Sequence, residues 1–286
     1  MLGRDRVQYK TVDQMRLMRA AGLVVADALA AVRAALRPGA TTKELDAVAH
    51  DVIRAAGATP SFLDYGHPPY PATTCISVNE EVVHGIPGGR VLAAGDVVSV
   101  DCGAILAGWH GDTAFTAIVA EPDGPDAAAT GSDAGTAADR ELVEVTRTAM
   151  WHGIGAIAAG QRIGVIGAAV EDHVDGRYGL VEEYGGHGIG TEMHQDPHVL
   201  NYRTRDGGRR MRAGLCLAIE PMLTAGDAQT RVLADQWTVR TVDGSRAAHW
   251  EHSVALHEGG LWVLTAPDGG EAGLASVGVR FAPLAD

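Results

Sequence analysis

The stretch DVVSVDCGAILAGWHGDTAFTAIV, residues 96–119, decides the fold. Two apolar runs flank Ala107-Gly108, so the segment reads as a β-hairpin with those two residues at its tip. Gly103 then lies opposite Asp112, and the period-two alternation of a strand puts Asp101 on the same face as both. Two carboxylates would point at one spot. With no cation between them they repel and one tends to protonate, whereas a divalent ion turns the repulsion into attraction. The other reading is a pair of solvated hairpin acids. It would leave Asp101, which follows the apolar run VVSV, in a buried strand without a partner.

Three more candidate ligands lie downstream: His187 in GGHGIG, Glu220 in LCLAIEPML and Glu251 in WEHS. Glu220 poses the burial problem most sharply, because an unpaired carboxylate in so apolar a run costs several kcal/mol. His187 alone reads equally as a hydrogen-bonded structural histidine, and Glu251 alone as an acid before the strand-like SVAL. Five such residues together favour a metal centre. Four carboxylates and one imidazole, with no thiolate, suit two divalent ions of Co, Mn, Fe or Zn. Four negative charges balance two such ions, and a hydroxide bridging them would be a nucleophile at neutral pH.

Upstream, Thr11 with Gln14 forms a capping-box pattern, and Met15, Met18, Gly22, Val25, Leu29, Val32 and Leu36 recur at helical spacing until Pro38-Gly39. Thr41 with Glu44 opens a second helix with Leu45, Val48 and Val52 on its apolar side, ending near Gly57. Strand-like runs follow at CISV and EVVHGI, ahead of the hairpin. Residues 121–138 carry no bulky apolar side chain and read as a flexible surface loop. Two more helices, from about Asp139 to Ala159 and Ile163 to Val174, precede strand-like runs at GLCLAIEPML, DQWTVRTV and HWEHSVALHE.

The same order of helix, helix and strands thus occurs twice. Gly39 precedes Asp101 by almost the interval at which Gly160 precedes Glu220, and Gly95 and Gly214 each lie six residues before their carboxylate. An internal duplication follows as the expectation. The halves, about 11–120 and 139–258, should form an α+β fold about a pseudo-twofold axis, in one catalytic domain spanning 1–286 with the dinuclear site between them.

Composition agrees. Acidic residues number 36 against 23 basic, a net charge of −13, with Lys10 and Lys43 as the lysines, which argues against a nucleic-acid surface. Hydrophobic content of 46% supports a sizeable core. Cys75, Cys102 and Cys216 are too few and scattered for a disulfide framework, so a reducing, cytoplasmic home is expected. The apolar stretch from Ala20 to Leu36 is interrupted by Asp27 and Arg33 and is neither a signal sequence nor a membrane span.

The runs CISVNEEVVHGIP, GDVVSVDCGA, GWHGDTA, GGHGIGTEMHQDPHV, GLCLAIEPML and WEHSVAL together closely resemble the methionine aminopeptidases, pita-bread metallopeptidases that remove initiator methionine. The resemblance covers about Tyr9 to Glu258. It implies that Asp101, Asp112, His187, Glu220 and Glu251 hold two metals, Asp112 and Glu251 bridging. His84 is implied to contact the scissile amide, His194 the reacting carbonyl, and Glu220 to shuttle the proton. A methionine pocket is implied at Tyr65, Tyr70, Cys75, Met193 and Trp237. The short interval from His194 to Glu220 indicates the type I branch. Implied partners are the N-terminal methionine of nascent polypeptides with a small second residue, at the ribosome. The protein would act as a monomer, without a specific nucleic acid or a membrane.

There are departures from the family pattern. Asp64 stands where Gly is usual, Met193 where an aromatic residue is common, and His249 where Gln is often found, and the Tyr65–Tyr70 segment is longer than in many relatives. Two other readings compete. An Xaa-Pro aminopeptidase or prolidase shares the five ligands but usually carries a sizeable domain ahead of them. A non-catalytic pita-bread binding module would be expected to have lost ligands, and none of the five is substituted.

Overall fold

The computed structural model describes residues 7–120 and 135–284. Its first part runs α1 (Val12–Ala35), α2 (Thr42–Ala55), β1 (Thr59–Pro60), β2 (Thr74–Val78), β3 (Glu81–Val83), β4 (Val97–Leu106) and β5 (Trp109–Ile118). The second begins with α3 (Ala137–Gly155), α4 (Gly164–Val174), β6 (Gly179–Leu180), β7 (Gly186–Gly188), β8 (Gln195–Val199) and β9 (Leu215–Ile219). It continues through β10 (Met222–Thr224), β11 (Thr230–Val232), β12 (Val239–Thr241), β13 (Ala247–His249), β14 (Glu251–His257), β15 (Gly260–Val263) and α5 (Glu271–Ser276).

Both capping boxes form. The Thr11 hydroxyl accepts from Gln14 N and the Gln14 side chain from Thr11 N; Thr41 and Glu44 repeat the arrangement. A third box was not anticipated: Thr136 caps α3 through Asp139, whose carboxylate also holds Arg246 at 2.6 Å. That pair draws the helix start back to Ala137, so the end of the expected 121–138 loop is helical. Residues 121–134 lie outside the described residues. The expected strand over DQWTVRTV shortens to β12, because the Asp235 carboxylate accepts from the backbone of Trp237 and Thr238 and folds that part into a turn. The run HWEHSVALHE divides at Trp250 into β13 and β14.

One large sheet orders its strands β1-β4-β5-β14-β9-β7-β8, with β2 also on β4 and β15 on β14. Its pairings are antiparallel. The β4–β5 ladder has the register read from the sequence, Gly103 opposite Asp112, and turns through Ala107 (φ 51) and Gly108 (φ 80). Helices α1 and α2 bury Val25, Val32, Leu45 and Ile53 against Ile76, Val98, Val100 and Phe115. Helices α3 and α4 bury Met150, Ile154 and Ile166 against Leu217, Ile219 and Val254. Each such side chain, fully removed from water, contributes about 1.5–3 kcal/mol. The apolar packing therefore lies where the helices meet the sheet. Among the described residues no helix is long and apolar enough to cross a membrane.

Candidate active site

The five candidate ligands gather where β4, β5, β14, β9 and β7 run side by side. Ala114 of β5 pairs with Asp101 on one side and with Glu251 on the other, so two carboxylates flank one alanine across three strands. Asp112 sits two residues earlier on β5, on the same face. His187 pairs with Ala218 of β9, and Glu220 follows the end of that strand. Ligating atoms of Asp112, His187 and Glu251 lie within 4.8 Å of one another. His187 Nε2 is 3.5 Å from Glu220 Oε1. Neighbouring backbone fixes the cluster: Ser253 Oγ donates to Asp112 O (2.8 Å) and accepts from Asp112 N. His187 Nδ1 donates to Gly188 O at 3.0 Å, which leaves its Nε2 lone pair for a cation.

The electrostatics of the cluster require a counter-charge. Burial pushes Asp101 up to about 7. Burial and then the neighbouring carboxylates hold Asp112, Glu220 and Glu251 well above the usual acid range. Asp101 Oδ1, Asp112 Oδ1 and Glu251 Oε1 are buried without a hydrogen-bond partner. Native structures rarely leave such atoms unmatched, and stranding them as anions costs several kcal/mol out of a total stability of roughly 5–15. Divalent cations remove that cost. Hard oxygen donors with one neutral imidazole fit Mn, Fe, Co or Zn. His187 is neutral because burial lowers it to about 3.

This predicts a pH-dependent stability once metal is stripped. The acids have folded-state pKa values above their unfolded ones, so their contribution is complete below the unfolded value and lost as pH rises through the folded value. The buried imidazoles, His84 at about 4 and His187 and His249 at about 3, shift oppositely and contribute fully only above their unfolded value of about 6.5. Above about 6.5 the raised acids act, Asp101 at about 7 among the first, joined toward about 8.5 by the buried thiols of Cys75, Cys102 and Cys216, which burial also raises. The Tm of chelator-treated protein should fall as pH is raised from about 6.5 to 8.5, and excess Mn or Co should restore it. A Tm that is flat over that range counts against the buried-acid cluster.

A cavity of about 210 Å³ opens beside the ligands. The remaining sequence candidates, Tyr65, Tyr70, Cys75, His84, Met193, His194 and Trp237, all line it. Tyr70 is buried, donates from its hydroxyl to Gly85 O (2.8 Å), and meets the Trp237 ring edge-on at 5.2 Å. Cys75 pairs with Asp101 across the β2–β4 ladder, which brings the pocket wall directly against the ligands. His84 takes φ 60, a backbone region uncommon outside glycine, and stands edge-on to Tyr184 (5.5 Å). Asp64 explains its own departure. Its φ of 64 is the left-handed conformation that a glycine adopts freely and that aspartate tolerates.

Phe62 also lines the cavity, packed with Tyr70, Cys75 and Met193, and Tyr184 lies behind His84. Neither was singled out from the sequence. Phe62 lies in the irregular segment after β1, where no periodicity marks an inward face. Its one trace is Gly103, where any Cβ would meet Ser61 and Phe62 at 2.8–3.0 Å.

Residues 16–258 match the profile of metallopeptidase family M24. The chain belongs to family M24. It is 48% identical to methionine aminopeptidase 1 of Mycobacterium tuberculosis over 271 residues, which is 92% of this chain and 96% of that protein. With methionine aminopeptidase 1 of Bacillus subtilis it shares 40% over 257 residues, 90% of this chain and 98% of that one. The crystal structure of the Thermotoga maritima methionine aminopeptidase superposes with a TM-score of 0.82 at 38% identity, covering 91% of this chain and 99% of the other. Prolidase from Pyrococcus furiosus, at 19% identity and a TM-score of 0.69, shares the fold; the match covers 90% of this chain and 65% of the prolidase. The α+β pita-bread architecture of the M24 family is therefore that of this chain.

Proposed function

We propose that this M24 enzyme removes the N-terminal methionine of peptides whose second residue is small, using two divalent ions that Asp101, Asp112, His187, Glu220 and Glu251 would hold. The observation that carries the reading is the set of unpartnered buried carboxylate oxygens beside a cavity of about 210 Å³ whose far wall includes Phe62, Tyr70, Cys75, Met193 and Trp237. Identity of 40–48% to named methionine aminopeptidases over most of the chain supports the substrate.

Bound there, the ions supply Lewis acidity and lower the pKa of water enough to make a nucleophile at neutral pH. The residues do the rest. Glu220, at the end of β9 and 3.5 Å from His187, takes the proton released on attack and returns it to the leaving amine. His194, and His84, which desolvation keeps neutral, are donors for the reacting carbonyl and the scissile amide. Phe62, Tyr70, Cys75 and Trp237 form a rigid apolar wall for an unbranched thioether, and Met193 adds a polarisable contact.

Metal-loaded protein should cleave Met-Ala peptides far faster than Met-Lys or Leu-Ala peptides. Met193→Phe should narrow that preference without shifting it, since a ring replaces a flexible chain in the same wall. Faster release from Ala-Pro or Leu-Ala than from Met-Ala refutes the methionine assignment. Titrating apoprotein with each metal on the same peptides identifies the ion and its stoichiometry.

A further inference from the structure

We propose that the Tyr65 hydroxyl is a positioning group that selects the tautomer of His194, so that His194 carries its proton on Nε2, in the cleft. The proposal rests on reading the cleft as an aminopeptidase site with His194 at the reacting carbonyl.

The phenol oxygen of Tyr65 lies 2.6 Å from His194 Nδ1, with the two rings tilted at 51° and centroids 5.2 Å apart. Either partner could donate, and two arguments select the phenol. The separation is well below the roughly 2.9–3.0 Å typical of an N–H···O bond, which is what donation from the imidazole to the phenol oxygen would be. A phenol, with a pKa of about 10, is also far more acidic than the N–H of neutral imidazole. Its proton is therefore the one given toward the acceptor.

A neutral imidazole that accepts at Nδ1 has its single proton on Nε2. His187 is set the opposite way, giving its Nδ1 proton to Gly188 O. The two rings pack edge to face with centroids 4.4 Å apart. Adjacent histidines therefore present different chemistry: a lone pair to a cation at His187 and an N–H to substrate at His194. Different partners enforce the two states, a backbone carbonyl for one and a phenol for the other. Tyr65 is 41% exposed, so removing its hydroxyl leaves the core intact.

The test compares zinc-loaded wild type with Tyr65→Phe, His194→Ala and the double variant. In the ¹⁵N-histidine NMR spectrum of wild type, His194 Nε2 should be protonated and Nδ1 a bare acceptor, and in Tyr65→Phe the two tautomers should mix. Turnover of a Met-Ala peptide by Tyr65→Phe should fall about tenfold in kcat with KM within about twofold. In the His194→Ala background the same change should have no further effect, since Tyr65 acts through His194. A protonated Nδ1 in wild type overturns the proposal. So does a Tyr65→Phe effect confined to KM or repeated in full without His194, which would make Tyr65 only pocket wall. If His194→Ala alone keeps full turnover, the placing of His194 at the carbonyl fails and the proposal with it; if metal-loaded wild type releases no methionine from the Met-Ala peptide, the aminopeptidase reading beneath it fails instead.

Discussion

Asp112→Ala should abolish turnover, lowering kcat by at least about a thousandfold, and should reduce bound metal below that of wild type. Its carboxylate is central to the cluster: an oxygen lies within 4.8 Å of ligating atoms of His187 and Glu251, and its charge is felt by Glu251. On the proposed two-ion reading, its removal would weaken both sites, whereas removal of a ligand to one ion would weaken one.

Stability separates this from misfolding. The strand position does not depend on the side chain, because Asp112 is tied to Ser253 through its backbone N–H and C=O. Without metal the variant should be at least as stable as wild type at about pH 8, having one fewer buried acid to ionise. With metal it should be less stable. Metal analysis, Tm with and without chelator, and peptide turnover check the three parts. Near-wild-type activity with unchanged metal content sinks the two-metal assignment.

The hairpin was readable because two rules left no slack. A two-residue turn at Ala107-Gly108 sets the register, and strand alternation sets the face, so the sequence places Asp101 and Asp112 relative to each other. His187, Glu220 and Glu251 were readable as chemistry but not as geometry. Their approach depends on β7, β9 and β14 lying side by side, with β14 also on β5, a long-range pairing that no local pattern encodes. The helices were legible from capping and periodicity. The start of α3 was misjudged because Thr136 and Asp139 fell inside a segment read as loop from its lack of bulky residues. Phe62 and Tyr184 were missed for a different reason. An inward aromatic on irregular backbone has no spacing to betray it, and only the clash awaiting a Cβ at Gly103 hints at the first.

Substituting either non-ligand histidine should cost two to four orders of magnitude in kcat, the usual worth of a positioned proton donor or acceptor, and leave metal stoichiometry intact. His84 and His194 share the cleft with the ligands, but Asp112, His187 and Glu251 are the residues whose donor atoms converge. For His194, alanine is a clean probe. For His84 it is not, since its φ of 60 would force alanine into a left-handed conformation costing about 1–2 kcal/mol. His84→Asn tolerates that backbone and loses the imidazole. It should therefore lose activity as His84→Ala does while keeping a Tm nearer wild type. Burial holds His84 at about 4, so at neutral pH it can donate from one nitrogen without carrying charge toward the cations. An asparagine amide can supply a neutral donor but is shorter than the ring. Partial activity in His84→Asn above that of His84→Ala would show that hydrogen bonding rather than proton transfer is its contribution. Loss of metal in proportion to activity in any of these variants would make that histidine a ligand and remove it from the substrate side of the site.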